Sequence, residues 1–451
     1  MTGFRRTGGG AAVTSGPTRA SWLDAVRLSV LGLLPTLAQG VVIRRPLVVG
    51  LAAALDTNAW GCRVLDDLRE RRGPGPVLVT FPGRKGLVLL SADDARRVLD
   101  ETGISFTTAN REKTAALSHF EPDGVLITQG AARAERRRFN ETVLEHHAAE
   151  PWFHEACRAA VREEAGPLTP GHELTWKRFH AAYQRIVRRI VFGDAARDDE
   201  RLTELRDKLR GDGNWFMLHR KRHRLRAELF ARAQRYIDLA EPGGLARAVR
   251  ATAATADVKP VAQVQHWFFA FDAAPIAAYL TLGLLACHPE QAARARADDA
   301  YLRACVLESQ RLWPTTVAIV RDTTAETHWP GGWVLPAGTA VIIPCSYFHR
   351  DARRLSYADR FEPEVWLDGR AEAEWSIAPF SRGPAGCPGR DIVLLTSATL
   401  LAELLDRDWL VTSAHRLGPG RLLPRTADHT SLRLRAVTPP SDGFSERPGF
   451  N

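Results

Sequence analysis

Apolar residues recur every three or four positions through much of the chain, a spacing that places them on one face of an α-helix. This period predicts helices at residues 92–100, 130–148, 151–166, 171–193, 200–210 and 220–240. Short apolar runs flanked by Pro or Gly predict strands at Val77–Thr80, Gly86–Leu90, Val317–Thr323 and Ala340–Pro344. Strands and helices do not alternate, so the pattern predicts a mainly α chain with a small β region.

The two ends of the chain lack this pattern. Residues 1–20 and 438–451 are rich in Gly, Ser, Thr, Pro and Arg, and we expect both to be disordered tails around a folded region, 21–437. The apolar segments Leu28–Ile43 and Pro46–Leu55 are shorter than the roughly 20 residues that a membrane span needs. They favour two helices packed at the edge of a core, with a peripheral membrane contact as the alternative and no firm membrane anchor.

Composition narrows the class of protein. Hydrophobic residues are 45% and charged residues 25% of the 451, which excludes a disordered, collagen-like or polytopic membrane protein. The net charge is +9, but the basic residues are interleaved with acids, which argues against nucleic-acid binding. Six scattered cysteines without a Cys-x-x-Cys pair exclude a disulfide scaffold and a zinc knuckle. We therefore expect reduced thiols in a cytoplasmic protein.

A long segment, Pro260–Cys287, is apolar nearly all round, so a helix there must be buried. Pro275 lies in its middle, where the missing N–H should kink the helix. Asp272 is a carboxylate among apolar neighbours, which requires a partner or a wet cavity. The sequence leaves two interpretations of Asp272 open, a salt-bridged core acid or a functional acid that faces a cavity.

Cys387 lies in a loop of glycines and prolines just before a predicted helix (PFSRGPAGCPGRD). Backbone N–H groups and the positive end of the helix favour a thiolate there. No His or Asp adjoins it to act as a base, so a metal ligand is favoured over a nucleophile. A single cysteine suits an axial haem ligand better than an iron–sulfur cluster or zinc.

The loop resembles the cysteine loop of the cytochrome P-450 family, F-x-x-G-x-x-x-C-x-G, from Phe380 to Gly389. Glu308 and Arg311 match the family's E-x-x-R pair, and Arg360 stands where the third member of that buried triad is expected. The resemblance covers about residues 60–437. It implies the cytochrome P-450 fold, a single large α-helical prism with a small β region.

The resemblance also assigns roles. It makes Cys387 the proximal iron ligand of haem b (iron protoporphyrin IX), with Asp272 and Ala273 at the catalytic positions of the long helix. It gives the other haem contacts to Phe380, Gly383, Gly389, Ala270, Arg133, Arg137 and Arg321. Of these, the three arginines would hold the haem propionates, with solvated surface arginines as the alternative.

Two positions depart from the family pattern. Ala385 stands where a His or Arg often binds a propionate, so one anchor is missing. The family's acid–alcohol pair in the long helix aligns with Asp272 and Ala273, so the acid is kept and the alcohol is lost. In the family that alcohol helps to deliver protons during oxygen activation.

The implied function is a soluble, bacterial-type monooxygenase acting on a small, largely hydrophobic biosynthetic intermediate of secondary metabolism. Its electrons would come from separate ferredoxin and ferredoxin-reductase partners, and the chain is expected to be a monomer. The basic run from His219 to Arg226 favours a solvated face, with an acidic substrate, a carrier protein or a membrane surface as alternatives. The rival functions are a haem-thiolate peroxygenase, a non-oxygenating isomerase or dehydratase, and a catalytically silent haem-binding protein.

Overall fold

Helices dominate the computed structural model, which describes residues 16–145, 152–169 and 173–437. Numbered in chain order, the α-helices are α1 (Trp22–Leu28), α2 (Leu34–Gln39), α3 (Pro46–Ala54), α4 (Thr57–Arg72), α5 (Ala92–Asp100), α6 (Arg111–Leu117), α7 (Gly130–Val143), α8 (His154–Ala165), α9 (Trp176–Phe192), α10 (Glu200–Gly213), α11 (His223–Leu239), α12 (Leu245–Ala251), α13 (Pro260–Ala270), α14 (Ala273–Cys287), α15 (Pro289–Ala297), α16 (Asp299–Leu312), α17 (Cys345–Phe348), α18 (Arg370–Ala373) and α19 (Arg390–Leu405). A π-helical turn, Ser29–Leu33, joins α1 to α2.

Short strands form the smaller part of the fold. They are β1 (Thr18–Arg19), β2 (Val77–Phe81), β3 (Arg84–Val88), β4 (Phe106–Thr107), β5 (Leu174–Thr175), β6 (Ile319–Thr323), β7 (Thr327–His328), β8 (Val334–Leu335), β9 (Ala340–Ile343), β10 (Trp409–Val411) and β11 (Arg433–Ala436). A six-stranded sheet has the order β1-β2-β3-β9-β6-β4, with β1 and β2 parallel, β3 and β9 parallel, and the other neighbours antiparallel. Smaller sheets join β10-β11-β5 and β7-β8.

The four strands predicted from the sequence are present as β2, β3, β6 and β9. Ser91 caps α5, because its side chain accepts the Asp93 N–H at 3.2 Å. The tail boundary was wrong, since Thr18 and Arg19 pair with Val77 and Leu78 as β1. A backbone paired in a sheet can be ordered whatever its composition. The rest of the predicted tails, 1–15 and 438–451, lies outside the described residues.

The core is built around α14, which packs against α16 and α19. Nearly all of α14 is buried, including Tyr279, whose hydroxyl donates to the carbonyls of Leu174 and Leu432 at 2.8 Å each. The apolar helix α19 is covered in the same way by α8 and α16. This arrangement confirms that the apolar segment is a buried core helix.

The long helix is interrupted between α13 and α14, at Phe271 and Asp272. The break lies one turn before Pro275. Pro275 has no N–H to bond the carbonyl four residues earlier, that of Phe271, and its ring crowds that carbonyl. The predicted distortion is therefore a two-residue interruption of the helical hydrogen bonding, which places Asp272 at the start of α14.

One helical stretch in the described part of the chain, Pro260–Cys287, has the length and apolarity to cross a membrane. Its most apolar window is 76% buried inside the protein. Burial at that level is what a core helix shows.

Candidate active site

Cys387 lies in the loop that leads into α19. Its backbone N–H donates to the Phe380 carbonyl at 2.8 Å, which closes the loop upon itself. The thiol lies between two cavities. One, of about 400 Å³, extends toward the start of α14, and the other, of about 380 Å³, lies beside Arg137. Phe380 lines both cavities next to the sulfur.

The two loop glycines meet different surroundings. Gly383 has φ +64°, and a Cβ there would lie 2.5 Å from the Leu99 carbonyl oxygen of α5. Gly389 has φ −89°, and a Cβ there would lie 3.8 Å from the Cys387 sulfur, an ordinary contact. Gly383 is therefore required for the loop to pack on α5, whereas the backbone at Gly389 tolerates a small side chain.

The polypeptide by itself does not favour a thiolate at Cys387. Burial raises the pKa of the thiol, against a hydrogen bond from the Gly389 backbone and the charge of Arg137, which lower it. Desolvation of the thiol thus outweighs the effect of the loop N–H groups from which a thiolate was expected. A bound metal ion supplies the missing positive charge and deprotonates a coordinating thiol.

Behind the loop, Glu308 and Arg311 form a fully buried pair on α16. Arg311 donates to both carboxylate oxygens of Glu308, through Nη2 at 2.6 Å and Nε at 2.8 Å. The predicted third partner was wrong, because the exposed Arg360 side chain donates instead to the Ser356 carbonyl. Glu308 has no site left for it, since its other contacts are the Glu362 N–H and the Trp366 indole N–H, each at 3.0 Å.

Across the larger cavity from Cys387 lie Asp272 and Ala273, the two predicted catalytic positions. Asp272 is paired with Arg210 at 2.9 Å and with Arg206 at 3.3 Å, both from α10. Burial raises the pKa of Asp272, and the two guanidiniums oppose that rise. Asp272 is therefore salt-bridged and also lines the cavity, and its role as a functional acid stays a prediction. Ala270 ends α13, and its side chain lies outside the described residues.

A cluster of cations gathers where α6, α7 and β6 meet. Arg321 is buried and donates to Thr102 Oγ1 and Ser381 Oγ at 3.2 and 3.1 Å. Burial and the nearby Arg133 lower its pKa to about 10. Burial lowers the pKa of Lys113 to about 7, helped by Arg321 and Arg133. Among the described residues, none forms an ion pair with these three cations.

The Arg137 side chain points to the cysteine loop and is not part of this cation cluster. It donates to the Gly386 carbonyl in the cysteine loop and to Glu141, each at 2.6 Å. In this position Arg137 braces the loop that carries Cys387. Its predicted contact with a propionate stays a prediction.

Comparison with known proteins shows which family has the same combination of features. A family model described as "Cytochrome P450" matches residues 288–411, which include Glu308, Arg311 and Cys387. The solved structure of a retinoic acid-bound cyanobacterial CYP120A1 superposes with a TM-score of 0.67 and 16% identity, covering 82% of this chain and 93% of that one. The chain thus resembles the cytochrome P450 family, in sequence over residues 288–411 and in fold over most of its length.

Curated proteins match shorter segments of this chain. Cyclooctat-9-en-7-ol 5-monooxygenase of Streptomyces melanosporofaciens is 33% identical over 111 residues, which is 24% of each chain. Human cytochrome P450 4V2 is 29% identical over 140 residues, or 30% of this chain and 26% of that protein. The matched segments thus span about a quarter of each relative's length.

The family and fold imply a haem b cofactor, and the residues present fit it. The Cys387 sulfur borders the cavity on one side, and Phe380 flanks it. Arg133, Arg321 and Lys113 are cations that lack carboxylate partners among the described residues, and haem carries two propionates. Arg321 is buried and Arg133 and Lys113 are half-buried, and cations in such positions favour anionic partners, so these three side chains would hold the propionates.

Sequence reasoning missed Lys113, Arg206 and Arg210. Lys113 belongs to no family motif quoted above, although it is one of only six lysines among 61 basic residues. Arg206 and Arg210 are four residues apart on one helix, which places both on one face. Their partner Asp272 is 62 residues beyond the second of them, so only the packing of α10 on the broken helix brings them together.

Proposed function

We propose that this P450 is a monooxygenase that inserts one atom of dioxygen into a small, largely hydrophobic organic substrate. The observation that carries the proposal is the cavity of about 400 Å³ between Cys387 and the start of α14, lined by both the thiol and Asp272. The Cys387 sulfur would hold the haem iron as an anionic ligand, and haem would supply the redox chemistry when bound there. Several relatives carry monooxygenase names, among them that of Streptomyces.

The side chains above Cys387 define what the substrate meets. Phe269, Ala274 and Ile276 present an apolar wall, which favours an apolar substrate. The Streptomyces relative is named for a monooxygenase reaction on cyclooctat-9-en-7-ol. A biosynthetic intermediate of secondary metabolism is the substrate class that we propose.

Electron supply is part of the same proposal. Arg137, Arg382 and Arg390 line the second cavity beside Cys387, together with acidic residues. We assign the electrons to separate ferredoxin-type donors that would dock near this side. A cytoplasmic location, a monomeric state and a carrier-protein partner stay predictions.

Proton supply to the reacting centre depends on the start of α14. Ala273 offers no hydroxyl, and Asp272 is held by Arg206 and Arg210. Thr315, Thr316, Ser381 and Thr430 line the same cavity, and their hydroxyls would position water there. Proton transfer would then run through ordered water between Asp272 and the substrate.

A second candidate is a haem-thiolate peroxygenase. The observation that favours it is the loss of the alcohol at Ala273, because a peroxide already carries the protons that dioxygen must acquire. The loss of the alcohol at Ala273 also favours a non-oxygenating isomerase or dehydratase, because such a reaction does not need an alcohol for oxygen activation.

Two measurements test the proposal. The carbon-monoxide complex of the reduced protein should show the red-shifted thiolate absorption band, and Cys387→Ser should abolish it. Turnover under labelled dioxygen with a ferredoxin system should place the label in the product. Label from peroxide alone would favour the peroxygenase, and a product without new oxygen would favour the isomerase or dehydratase.

A further inference from the structure

Large apolar side chains are unusually exposed on one part of the surface. We define the apolar face as helices α1 to α3, residues 22–54, together with the adjoining loop 215–218. Leu47 is 91% exposed, Leu218 84%, Trp22 77% and Met217 62%. Soluble proteins scatter such residues singly, and a contiguous apolar patch marks an interaction surface.

Specific contacts make the helices and the loop one surface. The Arg45 guanidinium, at the start of α3, lies 5.2 Å from the centre of the Trp215 ring. The Asn214 side chain accepts the Val42 N–H at 2.8 Å and donates to the Ile43 carbonyl at 2.8 Å. The loop therefore keeps a fixed position beside α2 and α3.

An apolar groove lies within the same surface. It has a volume of about 450 Å³, and its walls include Leu33 and Leu37 from the helices and Phe216 and Met217 from the loop. Side chains from the two segments thus share one apolar environment as well as polar contacts.

The exposed charge beside the loop is positive. The one acid within residues 22–54, Asp24, is buried and paired with Arg71, and residues 213–227 contain five Arg and Lys and no acid. His219 and Arg222 pair with Asp212, whereas no described residue forms an ion pair with the exposed Arg220, Lys221 or Arg224. Three uncompensated cations therefore stand at the edge of the apolar face.

We propose that the apolar face seats this P450 on the surface of a bilayer that contains anionic phospholipid. Exposed Leu and Trp side chains would enter the interface, and the adjacent cations would lie at the lipid phosphates. The stretch Pro260–Cys287 is buried in the core, so the chain would rest on the bilayer through this face.

Charge decides between a membrane and a second copy of the chain. A two-fold dimer through the apolar face would place the same surface patch of both copies together. Arg220, Lys221 and Arg224 of each copy would then approach like charges, and the one acid of the face, Asp24, is buried and cannot offset them. An anionic lipid surface provides the opposite charge.

The experiment is sedimentation of the purified haem-bound protein with lipid vesicles. We expect binding to vesicles of phosphatidylcholine mixed with phosphatidylglycerol and much weaker binding to phosphatidylcholine alone. Binding should fall as the salt rises to about 1 M, where the Debye length is about 3 Å. Failure to bind mixed vesicles at low salt would overturn the proposal.

Variants separate the two contributions. Leu47→Asp combined with Leu218→Asp should reduce binding to mixed vesicles by at least about tenfold, because both side chains would leave the interface. Changing Arg220, Lys221 and Arg224 to Gln should weaken binding by up to about fivefold per cation and flatten the salt dependence. All changes are at exposed positions, so the carbon-monoxide spectrum should be unaltered.

The matched control is Ile104→Asp. Ile104 is 77% exposed and lies beside β4, at the opposite edge of the six-stranded sheet from β1. It should leave vesicle binding unchanged. If Ile104→Asp weakens binding as much as the double leucine variant, or if the double leucine variant abolishes a dimer of the free protein and leaves vesicle binding intact, the proposal is wrong.

Discussion

Single side chains at this site are distinguished by whether their charges have partners. Arg311 is fully buried and satisfied by Glu308 and by backbone carbonyls, among them those of His349 and Ala358. Arg360 contributes only its carbonyl to that network, and its guanidinium is exposed. The Arg311 side chain is thus part of the buried network and the Arg360 side chain is not, although the family pattern places both in one triad.

Replacing these two arginines separately tests the difference. Arg311→Ala leaves the Glu308 carboxylate buried and unpaired, at a cost of about 3–5 kcal/mol in the free energy of unfolding. Arg360→Ala should change it by no more than about 0.5 kcal/mol. Denaturant unfolding followed by haem absorbance measures both. A large loss with Arg360→Ala would restore the three-member triad.

Restoring the missing hydroxyl tests the proton supply. Ala273→Thr places an alcohol beside Asp272, and product formed per electron consumed should rise, by up to about a hundredfold. Ala273→Val has the same shape without the hydroxyl and serves as the control. Product and peroxide yields are the measurement. Equal results for Thr and Val would show that protons do not pass this position.

The cysteine loop and the broken helix show how elements position the site. Gly383 brings the loop against the C-terminal turn of α5, and Pro275 ends the regular hydrogen bonding one turn earlier at Phe271. The first holds the segment that carries Cys387. The second places Asp272 at the start of α14, within reach of α10.

A matched pair of glycine substitutions tests the loop. Gly383→Ala should cost at least about 1–2 kcal/mol, because it forces a left-handed backbone in addition to the contact with the Leu99 carbonyl. Gly389→Ala should be tolerated, since its φ is −89° and its Cβ has room. Thermal denaturation of the haem-bound protein distinguishes them. Equal losses would mean that the contact with α5 is not the constraint.

At the scale of the molecule, distant segments assemble the cation cluster. Lys113 comes from α6, Arg133 from α7 and Arg321 from β6, 208 positions from Lys113 to Arg321. Each is costly to bury alone, and none is paired with an acid among the described residues. The cluster of these three side chains therefore provides the positive charge that a dianionic ligand needs.

This arrangement predicts a pH dependence of haem retention. Burial and the neighbouring arginines lower the pKa of Lys113 to about 7, and bound propionates would raise it again. Haem binding then takes up a proton above pH 7, so affinity should fall as pH rises, by at most about tenfold per pH unit. Haem transfer to apomyoglobin measures this, and Lys113→Met should flatten the profile. An unchanged slope in Lys113→Met would exclude the lysine.

The sequence by itself determined the local elements and marked Cys387 as the candidate iron ligand. Helical periodicity, Ser91 as a cap, the apolar core helix and the spacing around Cys387 are short-range properties, fixed by neighbouring residues. Arg360 shows the limit, because a motif position does not say which way a side chain turns. Only the tertiary structure decided the partners of Asp272, the residues that neighbour Lys113 and the exposure of Leu47 and Leu218. Burial and charge pairing depend on segments that are distant in the chain and become neighbours only when the helices pack.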